Sequence, residues 1–239
     1  MARASSYGTG LYAAAESSVL ITKCSYRLDS TAMGVLSFPS HGNTASQALA
    51  NPYTNLVLEA LAEQGYPVLS VDAGGGVAWG NDTAIARVTD AKTYLQGTCG
   101  AKSGKVLVYA FSMGALTALN WARSNLSSVA AMAFACPGVD LADLHDNRGF
   151  GTEINTAYGG SAAYTAALPT HNPVQFASSL TVPCKVWSAS DDATVVPSTV
   201  TAFKNAYGGS IAQVDLGAVG HTPVTVPPQD VVSFLTQYA

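Results

Sequence analysis

The sequence predicts an α/β fold, a mostly parallel central sheet flanked by helices, and three observations carry that expectation. Short apolar runs alternate with amphipathic stretches along nearly the whole chain, the rhythm of successive βαβ units. The run 105–110 (KVLVYA) is apolar with no alternation, as befits a strand covered on both faces. No linker rich in Pro, Gly or Ser divides the 239 residues, so a single domain over 1–239 is expected.

Segments 18–23 and 33–38 read as early strands. A helix over 51–64 follows, with Leu56, Leu58, Leu61 and Ala62 at helical spacing, and Gly65 closes it as a C-cap. The strand 66–71 runs into Asp72 and a glycine-rich loop, after which Asn81 or Asp82 caps a helix over 82–96. The strand 105–110, a helix over 114–123 and a strand over 129–135 continue the alternation. Between about 137 and 179 the rhythm breaks: there are glycines, aromatics and short helical fragments, but no strand. A structureless loop of that length is uncommon inside a domain, so an inserted cap or lid is the better reading. Strand 185–189, helix 197–207, strand 211–216 and helix 229–238 complete the chain.

Composition removes several classes of function. Hydrophobic residues make up 48% and charged residues 11%, the opposite of what keeps a chain disordered. A net charge of −4 leaves no basic footprint for nucleic acid. No run of eighteen apolar residues could form a transmembrane helix. The opening MARASSYGTG lacks the apolar core of a secretory signal peptide, so a soluble protein, cytoplasmic or phage-associated, is expected. Cys24, Cys99, Cys136 and Cys184 are too far apart for a zinc site or a CxxC centre, and any disulfide pairing among them is open. No His/Asp/Glu cluster has metal-ligand spacing, so neither metal nor cofactor is expected.

The chemistry centres on Ala110-Phe111-Ser112-Met113-Gly114, where a buried strand meets a helix. In the nucleophile-elbow motif G-x-S-x-G, small residues flank a serine on a strained strand-to-helix turn. Here Ala110 replaces the first glycine. Such a turn exposes the hydroxyl, and the helix N-terminus offers unpaired N–H groups to a developing oxyanion. The pentapeptide alone also reads as a plain helix cap. His221 follows the last strand and precedes the last helix, where a general base belongs. Asp191 and Asp192 follow the strand 185–189, where a carboxylate could orient an imidazole. The order serine, aspartate, histidine fits a hydrolase of this architecture. The loop Ser40-His41-Gly42-Asn43 follows the strand 33–38 and can supply a second oxyanion donor. Trp79 stands in the glycine-rich loop after the strand 66–71, either as a pocket wall or as ordinary packing. That loop has neither GxGxxG nor P-loop spacing. His145 and His171 fall in the cap segment and are not read as ligands.

On these residues the chain resembles the α/β-hydrolase superfamily, in the branch of esterases, lipases and dipeptidyl-peptidase-like enzymes with a simple His-Gly-x oxyanion loop. The resemblance implies Ser112 as nucleophile, His221 as base and an aspartate after the seventh strand as acid. Asp192 is preferred and Asp191 is the alternative, because the loop is one residue longer than usual before Pro197. It also implies that the Met113 and Asn43 N–H groups hold the oxyanion, with His41, Gly42 and Trp79 near the substrate. The expected reaction is hydrolysis of a small-molecule or lipid-like ester through an acyl-enzyme. Two other readings are acyl transfer to an acceptor other than water, and a non-catalytic binding or virion protein. The latter rests on the segment Tyr7-Gly8-Thr9-Gly10, which looks like part of some bacteriophage tail proteins.

Overall fold

A computed structural model describes residues 5–12, 16–23 and 31–239. Its centre is one eight-stranded sheet. The strands are β1 (Ser5–Tyr12), β2 (Glu16–Lys23), β3 (Met33–Phe38), β4 (Val68–Ser70), β5 (Lys102–Phe111), β6 (Val129–Ala135), β7 (Cys184–Ser188) and β8 (Ile211–Asp215). They lie in the order β1-β2-β4-β3-β5-β6-β7-β8. β2 is antiparallel to both β1 and β4, and every pairing from β4 to β8 is parallel. β2 therefore runs against the other seven.

Alternate residues of each central strand feed two different cores, because successive side chains leave a strand on opposite faces. On β5, Val106, Val108 and Ala110 enter one core with Leu36, Phe38, Met132 and Phe134. Leu107, Tyr109 and Phe111 enter the other with Val35, Ala131, Ala133 and Trp187. All of β5 from Val106 to Phe111 is buried, which is why its sequence is apolar without a break. The first core is covered by α3 (Asp82–Gly97) and α4 (Gly114–Ser124), through residues such as Val88, Leu95, Leu116 and Leu119. The second is covered by α2 (Pro52–Glu63) and α10 (Pro228–Thr236), through Val57, Leu58, Leu61, Val231 and Leu235.

Two elements lie outside the expected pattern. β1 is a glycine-containing edge strand whose SSYGTGLY sequence carries no apolar alternation; its pairing with β2 is the only thing that marks it. α1 (Ala45–Ala50) has six residues and depends on a capping box, in which Thr44 and Gln47 satisfy each other's backbone N–H. The segment between β6 and β7 contains no strand. It holds α5 (Leu141–Asn147), α6 (Gly151–Tyr158), α7 (Ser161–His171) and α8 (Pro173–Phe176), with a single 3-10 turn over Ala177–Ser179. α9 (Pro197–Ala206) links β7 to β8. No helix among the described residues is long and apolar enough to cross a membrane.

Candidate active site

β5 delivers Ser112 at its C-terminal end and α4 starts two residues later. The turn between them is tight enough to hold Ser112 at φ +54, a left-handed conformation that costs a non-glycine residue of order 1 kcal/mol or more. Gly114 is needed for the same reason. A Cβ there would stand 2.5 Å from Phe38 O and 2.6 Å from Pro39 O, so a glycine lets the start of α4 press against the end of β3. Ala110, where the motif has a glycine, is fully buried between strands and its methyl group is accommodated.

The structure brings Ser112, His221 and Asp192 into one hydrogen-bonded line. Ser112 Oγ is 2.7 Å from His221 Nε2, and His221 Nδ1 is 2.7 Å from Asp192 Oδ2. An ionised Asp192 can only accept, so the imidazole carries its proton on Nδ1 and presents the Nε2 lone pair to the serine hydroxyl. Asp192 is buried at 3% exposure, and its other oxygen accepts from the N–H groups of Thr194 and Val195 at 2.9 and 2.8 Å. Both carboxylate oxygens are thus satisfied. Asp191 points elsewhere. It accepts from the Gly220 N–H at 2.7 Å and so ties down the residue before His221. Phe111 stacks on the His221 ring, with centroids 5.3 Å apart.

Beneath the imidazole lies Cys136, at the end of β6. Its backbone is also left-handed, at φ +40. Its thiol donates to Thr222 O at 3.5 Å, and burial, helped by the Asp192 charge, pushes it up to about 11. Cys99, Cys136 and Cys184 are buried free thiols; Cys24 lies outside the described residues. Among the described residues, the non-glycine positions with positive φ are Trp79, Ser112 and Cys136, and all three adjoin this site. Strained backbone concentrates where side chains are held for chemistry.

Ser112 opens onto a cavity of about 330 Å³, bounded by Ser40, His41, Trp79, Phe111, Met113, Leu144, Phe150, Val195 and Pro223 among others. His41, Trp79 and Phe150 form a three-ring cluster with centroids 4.9 to 5.1 Å apart. Glu153 of α6 fastens it: one carboxylate oxygen is 2.7 Å from His41 Nε2 and accepts from Trp79 Nε1 at 2.7 Å. Tyr158 adds a bond from its hydroxyl to Trp79 O at 3.0 Å. Glu153, Leu144 and Phe150 had no local signal in the sequence, because they come from the helical segment more than thirty positions after Ser112.

The oxyanion loop needs a correction. The Asn43 N–H does not face the cavity; it closes a turn onto Ser40 O at 3.1 Å. Gly42 is not among the residues that line the cavity, and its N–H donates to Gly76 O at 2.7 Å. The glycine-rich loop binds the His-Gly-Asn turn so closely that a Cβ on Gly76 would stand 2.6 Å from Gly42 C. Ser40, His41 and Met113 all line the cavity, and none of their N–H groups is bonded to another backbone carbonyl among the described residues. His145 and His171 lie apart from Ser112. His145 stacks on Tyr164, and His171 is 3.1 Å from Asp82.

No family model matches the sequence, and no curated relative matches it. Solved structures do match. An esterase from Pyrococcus furiosus superposes with a TM-score of 0.70 at 18% identity, over 98% of this chain and 92% of its own. A truncated carbohydrate esterase from the gut microbiota superposes with a TM-score of 0.78 at 14% identity, over 98% of this chain and 96% of its own. The fold is that of the α/β-hydrolases. A Bacteroides ovatus protein assigned to dipeptidyl aminopeptidase IV contains the same α/β-hydrolase fold, with a TM-score of 0.75 at 12% identity. The present chain covers 98% of itself in that match but only 36% of the larger protein.

Proposed function

We infer that the protein is a serine hydrolase that cleaves carboxylic esters. The observation that carries the reading is the 2.7 Å and 2.7 Å relay from Ser112 through His221 to Asp192, opening on the cavity beside Ser112. His221 Nε2 takes the Ser112 proton as Oγ attacks the ester carbonyl, and Asp192 stabilises the resulting imidazolium. The N–H groups of Met113 and Ser40, two residues that line the cavity beside Ser112, stabilise the charge of the tetrahedral oxyanion. His221 then protonates the leaving alcohol. Water activated by the same nitrogen releases the acid from the acyl-serine.

The helical segment 137–179 acts as the cap, lending Leu144 and Phe150 to the cavity and Glu153 to its rim. The lining carries neither Asp, Glu, Lys nor Arg, so the preferred substrates are neutral esters of modest size. The esterases among the structural neighbours support the same class of bond. The test is hydrolysis of a short-chain nitrophenyl ester. The wild type turns it over, and Ser112→Ala, folded to the same Tm, does not. Undiminished hydrolysis by that variant would overturn the reading.

A further inference from the structure

We propose that Cys136, Asp192 and His221 form a site for a soft divalent cation, of the zinc or cadmium type, whose occupation switches the histidine off. The ligand atoms of these three residues all lie within 4.8 Å of one another. They come from three separate places, the ends of β6 and β7 and the loop after β8, and meet only in the folded protein. A thiol, an imidazole and a carboxylate make a donor set suited to zinc, with ligand distances of ~2.0–2.3 Å, and poorly suited to magnesium or calcium, which prefer oxygen alone. Entry of an ion breaks the 2.7 Å bond between His221 Nδ1 and Asp192 Oδ2, whereas the thiol gives up only a long one, to Thr222 O at 3.5 Å.

The proton balance explains the consequence. Coordination releases the Cys136 thiol proton to solvent. The imidazole binds the ion through Nδ1, and its proton passes to Nε2, while Asp192 binds through a carboxylate oxygen. One proton leaves for each ion bound. The ring nitrogen facing Ser112 Oγ at 2.7 Å then carries hydrogen and cannot accept the serine proton. Asp192 and Cys136 are almost fully buried, whereas the His221 side chain is 19% exposed, so the ion reaches Nδ1 only as the ring swings. Onset is therefore slow. The loss of activity rests on the hydrolase reading above; binding of the ion does not.

The experiment titrates cadmium onto the whole protein and follows three signals: the ultraviolet thiolate-to-cadmium charge-transfer band, proton release in weak buffer, and ester hydrolysis. Wild type gains the band and releases one proton per ion. It loses hydrolysis with slow onset, and EDTA restores it; magnesium and calcium have no effect. Second-sphere changes cost roughly 10–100-fold in metal affinity, so losing a direct ligand costs at least about 100-fold. Cys136→Ser keeps a donor for Thr222 O, Cys136→Ala serves as a second variant, and the inhibition of each is read against its own rate without cadmium. Both lose the band and need at least about 100-fold more cadmium for half-inhibition, whereas Cys99→Ser behaves as wild type. Absence of the band in wild type, or a cadmium response in the Cys136 variants equal to that of wild type, overturns the proposal. A band that depends on Cys136 in a protein without hydrolysis would sustain the site and defeat the hydrolase reading instead.

Discussion

The two adjacent aspartates offer a sharp test, because the structure gives them different work. In Asp192→Asn the amide oxygen can still accept from Thr194 and Val195 N–H, which leaves the NH2 group where Oδ2 stood, 2.7 Å from His221 Nδ1. Two donors then face each other. The imidazole relieves the clash by moving its proton to Nε2, the nitrogen that must accept from Ser112. The same exchange in chymotrypsin-type triads costs about 10⁴ in kcat, or about 5.5 kcal/mol. Asp191→Asn is different, because its single bond is accepted from the Gly220 N–H, which an amide oxygen accepts equally well. We expect a loss of less than about tenfold, or roughly 1.4 kcal/mol. Steady-state kinetics on a nitrophenyl ester, with the Tm of both variants as a control on folding, decides the matter. Equal losses in the two variants, or a greater loss in Asp191→Asn, would refute the assignment of Asp192.

Two further predictions probe the cavity. Ser40→Pro deletes one proposed oxyanion donor without touching the relay, and kcat should fall by about 10²–10³ with little change in KM; a kcat within threefold of wild type, roughly 0.65 kcal/mol, would remove Ser40 from that role. Glu153→Ala leaves the indole N–H of buried Trp79 without its acceptor, a cost of about 1–3 kcal/mol that lowers Tm by roughly 2–12 °C in a chain of this length. Glu153→Gln keeps an acceptor oxygen and should shift Tm far less, so equal melting of the two variants would count against the clamp.

Much of this arrangement could be read along the chain, for physical reasons that differ from element to element. β6 is a short, uninterrupted apolar strand and β3 is broken only by Gly34 and Ser37, so their limits are plain at Met33–Phe38 and Val129–Ala135. Asn81 caps α3 through a local bond to the Ala84 N–H, a signal contained within four residues. Ser112, Asp192 and His221 could be named because each follows a strand in a fixed order, although only coordinates bring Ser112 and Asp192 each to 2.7 Å from His221. What escaped depends on contacts between distant segments. Counting one residue past Gly42 selects Asn43, but the bond from Gly42 to Gly76 turns that peptide away and leaves Ser40 at the cavity. Glu153 meets His41 across 112 positions, and nothing local to either residue announces the pair. Cys136 has no metal-ligand or CxxC spacing to mark it. Its place beside Asp192 and His221 comes from the adjacency of β6 and β7. β1 has no apolar pattern of its own and exists as a partner of β2.

The central claim is that Ser112 is a nucleophile activated by His221, and covalent labelling reaches it most directly. A fluorophosphonate probe followed by peptide mass spectrometry should place one adduct on Ser112. The adduct should be lost in Ser112→Ala and form far more slowly in His221→Ala. Labelling that bypasses Ser112, or that proceeds at the wild-type rate without His221, would contradict the account.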